Sequence, residues 1–365
     1  MKKNLPLTFS LILIASLGSC IYSSEVDNKY DFADNIKDKY PTKSIEILTN
    51  GVAKTRFYTY NSTVNTIFVD RKYNKNIYIK PFLSNDDKLK GLRYVSNMCV
   101  KSNALACVNG TYFSLNNGIP LGLLKNNDEV LTGDIYGRAG IGIYEDNNYY
   151  IDRVYSNIQA NNIKIDKINQ PRMLSTHTIV YNSKWGNLSP NTPKYGMQVV
   201  VGNGKVIKTS YTACEIPKNG YVIIGPKKQL INFKIGQHVE LKNNVYPDSL
   251  NKAKYIITGG PILVKDNEIF IDTQDEKLSA INGYFPRTAV GYTKDNLMII
   301  VAVDKGGVSL YQLATIMKSL GCTKAINLDG GTSTNMYVKG QGLISNGSRG
   351  NTRPVSNILA VGIKQ

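Results

Sequence analysis

From Thr55 onward the chain is written in short runs of alternating apolar and polar residues, cut at brief intervals by Asn, Asp and Gly, and this pattern constrains the fold more than any other feature. The runs TRFYTYNSTVNTIFVDRKY (55–73) and KNIYIKPFL (75–83) send successive side chains to opposite faces, as half-buried strands do. The polar clusters between them are turn formers, and few segments carry a helical period. The fold class that follows is α+β, with β-rich mixed sheets, few helices and one large domain. At 365 residues, 42% hydrophobic and 19% charged, the chain can bury the core this requires.

The clearest helix is VSLYQLATIMKSLG (308–321). Ser309 suits the N-cap, Leu310, Leu313, Ala314, Met317 and Leu320 share one face, and Gly321 suits a left-handed C-cap. Before it, RTAVGYTKDNLMIIVAVD (287–304) reads as two strands about a Lys-Asp-Asn turn, and after it Ala325–Leu328 reads as a short strand. A strand–helix–strand unit therefore delivers Asp329 to a strand's C-terminal end. There is also an internal echo: GIPLGLLKNNDEVL followed by GRAGIGIY resembles GGPILVKDNEIF followed by PRTAVGYT. A pseudo-duplicated sheet core would explain it, and chance similarity of hairpins would explain it equally. No composition break marks 151–250, so insertions into one domain are expected.

Lys2 and Lys3 precede an apolar run, Leu5 to Leu17, too short to span a bilayer and followed by Leu17-Gly18-Ser19-Cys20. This is the layout of a signal peptide over 1–19 with Cys20 as a lipidation site, and the polar, aperiodic 20–44 segment reads as a lipid-anchored tether to a folded body beginning near Ile45. The expected location is the bacterial cell envelope, outside the cytoplasm, with the membrane reached through the lipid. Cys99, Cys107, Cys214 and Cys322 match no zinc spacing; Cys99 with Cys107 is the one nearby pair, left open between disulfide and buried thiols. The formal charge of +17 favours anionic partners without choosing among them, and solubility is its plainer reading.

Four runs set polar residues beside glycine where a strand should end. In Asn109-Gly110-Thr111 either a hairpin turn or a ligand-facing amide is served. In Thr258-Gly259-Gly260-Pro261, paired glycines mark a bulge or a close backbone approach. Arg287, amid aromatic and small residues, either stacks and pairs structurally or turns its planar fork to a phosphate. Asp329-Gly330-Gly331-Thr332-Ser333-Thr334 is a turn or an anion nest rich in N–H and hydroxyl donors. No nucleotide phosphate loop is present, and His177 and His238 fit neither a zinc site nor a nucleophile elbow, so acid and base work falls to carboxylates.

Taken in order, NGTYF (109–113), GIPLG (118–122), TGGP (258–261), PRTAVGY (286–292), MIIVAVD (298–304), the 307–336 stretch ending in NLDGGTSTNM and RPVSNILAVG (353–362) resemble the phosphodiester glycosidase family over about 104–363. The resemblance implies an exported hydrolase that cleaves the anomeric C–O bond of a glycosyl-1-phosphodiester, as in exopolysaccharide or envelope glycans, with a phosphorylated carbohydrate as partner and no nucleic acid. Such a site needs a carboxylate at the anomeric carbon and cations or N–H donors at the phosphate. Asp329 is assigned the carboxylate, Arg287 and the Gly330-Gly331-Thr332 nest the phosphate, and Asn109 the sugar hydroxyls. Gly110, Gly259, Gly260 and Ser333 join as substrate-binding positions. Arg353 is a second phosphate candidate or a surface ion-pair residue; Asp304 and Glu268 are reserve carboxylates or turn residues. No cofactor is required, although carboxylate and carbonyl oxygens would suit Ca²⁺ or Mg²⁺. The short Asp304-Lys305-Gly306-Gly307 loop departs from the family pattern and bears on specificity. Two alternatives stand beside this: a non-catalytic surface lipoprotein that binds anionic glycan or nucleic acid, and a phosphodiesterase that cuts the P–O bond.

Overall fold

In a computed structural model, the residues described are 32–38, 45–347 and 352–364. The expected signal peptide and Cys20 lie outside them. Within the expected tether, residues 32–38 form a helical turn that buries Phe32, Ala33 and Ile36, with Phe32 against the Tyr73 ring at 5.1 Å. The apolar pair Phe32 and Ile36, four residues apart, gives this turn a face to dock, so the packed body reaches further toward the N-terminus than Ile45.

The centre is an eight-stranded sheet in which Phe285–Thr293 pairs antiparallel with Met298–Val308 on one side and Cys322–Asn327 on the other. Period-two alternation splits its side chains between two cores. Ala289, Ile299, Val301 and Ala325 join Leu310, Leu313, Ala314 and Met317 of the helix Leu310–Ser319. Val290, Ile300, Ala302 and Ile326 join Ala106, Val108, Met336, Leu359 and Val361 from a five-stranded sheet below. Burial on both faces explains why MIIVAV is an unbroken apolar run. The helix has the expected cap: Ser309 Oγ accepts from the Gln312 amide and Gln312 Oε1 accepts from the Ser309 amide, both at 3.1 Å, and Gly321 follows at φ +83°.

The internal echo corresponds to a repeated winding. In one five-stranded sheet the hairpin Leu124–Asn126 and Glu129–Thr132 lies at an edge, followed by Tyr255–Thr258, Ala139–Ile143 and Tyr149–Arg153. In the central sheet the hairpin Ile262–Lys265 and Glu268–Ile269 lies at an edge, followed by Cys322–Asn327, Phe285–Thr293 and Met298–Val308. Each time the last strand in sequence inserts beside the hairpin, and each hairpin turns on two left-handed polar residues, Asn127-Asp128 and Asp266-Asn267. Each inserted strand leads to a Gly-Gly pair, Gly259-Gly260 or Gly330-Gly331. The first copy is interrupted between Arg153 and Tyr255 by two further sheets, joined to it through a core that includes Ile158, Val199, Ile223 and Ile256.

Cys99 and Cys107 form a disulfide, Cα atoms 5.9 Å apart, that ties the helix Val95–Lys101 to the strand Ala106–Asn109. Cys214 and Cys322 are buried thiols, and burial pushes the Cys322 thiol up.

Candidate active site

Where the strand Cys322–Asn327 ends, the chain crosses the end of Ala106–Asn109. The Asp329 amide donates to the Gly110 carbonyl at 3.1 Å, and the Asp329 carbonyl accepts from Asn109 Nδ2 at 2.6 Å. The backbone of Asp329 is thus clamped from both sides, and its side chain meets Gly330, Ser333 and Arg353. Its Oδ1 accepts the Gly330 amide at 2.9 Å, Oδ2 lies 3.7 Å from Arg353 Nη2, and the Ser333 hydroxyl hydrogen-bonds the carboxyl while accepting from Arg353 Nε at 2.8 Å. Burial pushes the Asp329 carboxyl up to about 6 against the opposing pull of Ser333, Arg353 and the Gly330 amide.

Arg353 is the cation that meets Asp329. Its guanidinium stacks over Phe113, centroid distance 5.1 Å, and its side chain is one-third exposed. Gly331–Ser333 form a single tight helical turn closed by the amides of Ser333 and Thr334, so the amides of Gly331 and Thr332 precede its internal bonds. Gly331 sits at φ +62° with open space beside its Cα, and Thr332 is exposed. The anion-nest reading therefore fits the local shape.

Arg287 and Asn109 are brought to this point but face inward. Arg287 is 2% exposed: Nε donates to Val308 O at 3.2 Å, Nη2 to Ile281 O and Gly283 O at 2.8 Å each, and the group stacks on Phe285. It braces the loop before its strand, and its Cα and Cδ lie 3.9 Å from where a Gly330 side chain would begin. Of the two readings of this arginine, the structural one describes its hydrogen bonds. Asn109 is fully buried; Oδ1 accepts from Thr288 Oγ1 at 2.7 Å and the Asn335 amide at 3.1 Å, while Nδ2 holds Asp329. Its carboxamide joins three strand ends and is not turned toward a sugar.

The glycines before the DGG run serve close approach within the protein. A Cβ on Gly110 would collide with Asn357 Oδ1, on Gly259 with Asn327 O, and on Gly260 with Glu276 Oε2. Asp304 is half-buried away from the carboxyl of Asp329, accepting from Ser345, from Asn65 Nδ2 at 3.0 Å and from the Asn346 amide at 3.2 Å, and burial raises its pKa. Glu268 is at the sheet edge, exposed and paired with Lys318 at 2.9 Å; it does not reach the cluster.

Residues not singled out in the sequence complete the surroundings. Glu276, 1% exposed, accepts the amides of Ala139 at 2.8 Å and Ile262 at 3.3 Å, and burial raises its pKa. Tyr112 donates to Gly260 O and accepts from Asn327 Nδ2, both at 2.9 Å; burial pushes the phenol up, and Asp329, Arg138, Arg287 and Glu276 all act on it electrostatically. Arg138 stacks over Tyr112 at 5.2 Å. Its counterpart in the repeated winding is Arg287, so the GRAGIGI echo was the available signal. Glu276, in the polar run DTQDEK, gave none. Among the described residues no three His, Cys, Asp or Glu side chains gather as a metal-ligand set, and no helix is long and apolar enough to cross a membrane.

The phosphodiester glycosidase family profile matches residues 195–362, which include Arg287, Asp329, Ser333 and Arg353. Over these residues the chain is similar to the phosphodiester glycosidase family. The segment starts within the interruption of the first winding and carries the whole second winding. A Bacillus subtilis (strain 168) protein, the SPbeta prophage-derived uncharacterized protein YomE, is 34% identical over 86 residues, 22% of this chain and 13% of that protein. The fold is shared with a hypothetical protein from Synechocystis, TM-score 0.80 at 22% identity, over 89% of this chain and 64% of that one. It is shared also with a Burkholderia pseudomallei protein, TM-score 0.69 at 19% identity, over 84% of this chain and 74% of that one. The chain thus spans less than two thirds of the B. subtilis and Synechocystis proteins. These two structural likenesses extend over more of the chain than the profile match does, and they concern the fold.

Proposed function

We propose that the protein hydrolyses the anomeric C–O bond of a glycosyl-1-phosphodiester in extracellular or envelope glycans. The observation that carries this reading is the Asp329 carboxyl, buried at a strand end, with a loosely paired arginine and an open two-amide turn beside it. As the C–O bond breaks, positive charge grows at the sugar and negative charge at the departing phosphate. Ionised Asp329 stabilises or attacks the first. Arg353, held by Phe113 and Ser333, and the amides of Gly331 and Thr332 receive the second. A phosphate is a good leaving group, so little is asked of a general acid. Asn109, Arg287 and Tyr112 hold the strand ends that place these groups. A divalent ion binding at Asp329 would compete with Arg353 for Oδ2.

The test incubates the full chain with an N-acetylglucosamine-1-phosphodiester and measures free sugar. Turnover by wild type, lost in Asp329→Asn, supports the reading. Absence of turnover across a panel of glycosyl phosphodiesters, with glycan binding retained, supports the non-catalytic alternative and overturns it.

A further inference from the structure

The sheet inserted into the first winding carries a surface that takes no part in the Asp329 site. Its strands Gly196–Gly202, Lys205–Ser210 and Gly220–Pro226 are antiparallel neighbours, and the pairings Gly196 with Pro226 and Gln198 with Ser210 put Tyr195, Tyr211 and Lys227 at the same end. Tyr195 is 81% exposed and Tyr211 59% exposed. Lys194 Nζ lies over the Tyr195 ring at 5.1 Å and Lys227 Nζ over the Tyr211 ring at 5.3 Å. Between them Tyr195, Pro226, Lys227, Lys228 and Ile231 line a shallow apolar hollow. Tyr195 is held at φ +60°, a left-handed conformation that an aromatic residue rarely adopts, with its carbonyl bonded to the Lys227 amide at 3.0 Å. Backbone strain is thus accepted where a ring is presented to solvent. From 191 to 239 the sequence has seven lysines and one acidic residue, Glu215, and none of these lysines makes an ion pair among the described residues.

We propose that this end of the inserted sheet is a docking surface for an anionic, phosphate-bearing glycan chain, separate from the Asp329 site. Each Tyr–Lys couple sets an ammonium over one face of an exposed ring, so a phosphate can meet the ammonium while a sugar ring stacks on the remaining exposed aromatic surface. The charge excess supplies complementarity along a polymer. An anionic membrane fits less well, because the ammonium groups cap the rings that would have to insert. The proposal rests on the phosphodiester glycan reading above for its choice of ligand.

The test compares the full chain with the Tyr195→Ala/Tyr211→Ala and Lys227→Gln/Lys228→Gln variants, checked for unchanged melting. Probes are a purified sugar-1-phosphate polymer, the same glycan without phosphate, single-stranded DNA and vesicles containing phosphatidylglycerol. The expected result is polymer binding weakened about tenfold in each variant, from the loss of two exposed contacts, with turnover of a short soluble glycosyl phosphodiester unchanged. Asp329→Asn should bind polymer like wild type while losing turnover, which separates this proposal from the catalytic one. Unchanged polymer binding in both variants overturns it, as does wild-type preference for vesicles, or equal affinity for DNA and polymer.

Discussion

Asp329 owes its raised pKa to desolvation, and Arg353 only moderates that effect. If the ionised carboxylate is the working form, kcat/KM rises with pH through about 6. Arg353→Ala removes the moderating charge, so the pH profile should show its limb moved upward, with kcat lowered by roughly a hundredfold, the scale of one lost donor to a developing anion. Stability follows the opposite sign. The folded carboxyl holds its proton to higher pH than the unfolded one at 3.8, so the protein loses stability as pH rises from about 4 to about 6. Asp329→Asn should flatten that segment of a urea-denaturation series, by at most about 3 kcal/mol. Asn109→Ala leaves Thr288, Asn335 and Asp329 each short of a bond and should cost about 3 kcal/mol in the same assay, far more than a surface amide. The sequence shows that these residues sit at strand ends. It does not show which way they turn, because Asn109 meets Thr288 across 179 positions of chain. For Arg287 and Asn109 the sequence leaves a structural and a ligand-facing reading open, and the register between distant strands turns both inward.

At the scale of elements, the segments legible in advance are those with complete local signals. The helix Leu310–Ser319 has its cap, apolar face and terminal glycine in one stretch, and Ser309→Ala should lower stability by about 1 kcal/mol in chemical denaturation without altering the site. The hairpin about Lys294-Asp295-Asn296 was equally plain. Glu276 was opaque because its burial depends on Gly260, a residue 16 positions away that lacks the side chain which would exclude the carboxylate. Gly260→Ala should therefore lower the melting temperature and, by displacing Glu276 and Tyr112, reduce activity as well. Partial activity at full stability would count against that coupling.

Across the whole molecule, one winding occurs twice, and the two copies end differently. Thr258-Gly259-Gly260 closes the first and buries itself against the second; Asp329-Gly330-Gly331 closes the second and has open space beside Gly331. The repeated winding sets two arginines in matching places, Arg138 and Arg287, but an aspartate at one strand end alone. The echo was visible in the sequence, yet its shared strand order was not, because the final strand of each copy arrives after a long interruption or a helix. If Asp329 acts on the sugar carbon, the bond to water forms there and not at phosphorus. Hydrolysis of a glycosyl-1-phosphodiester in oxygen-18 water, read by mass spectrometry, tests it most directly. The account predicts the heavy oxygen in the released sugar and none in the phosphate; heavy oxygen in the phosphate would contradict it.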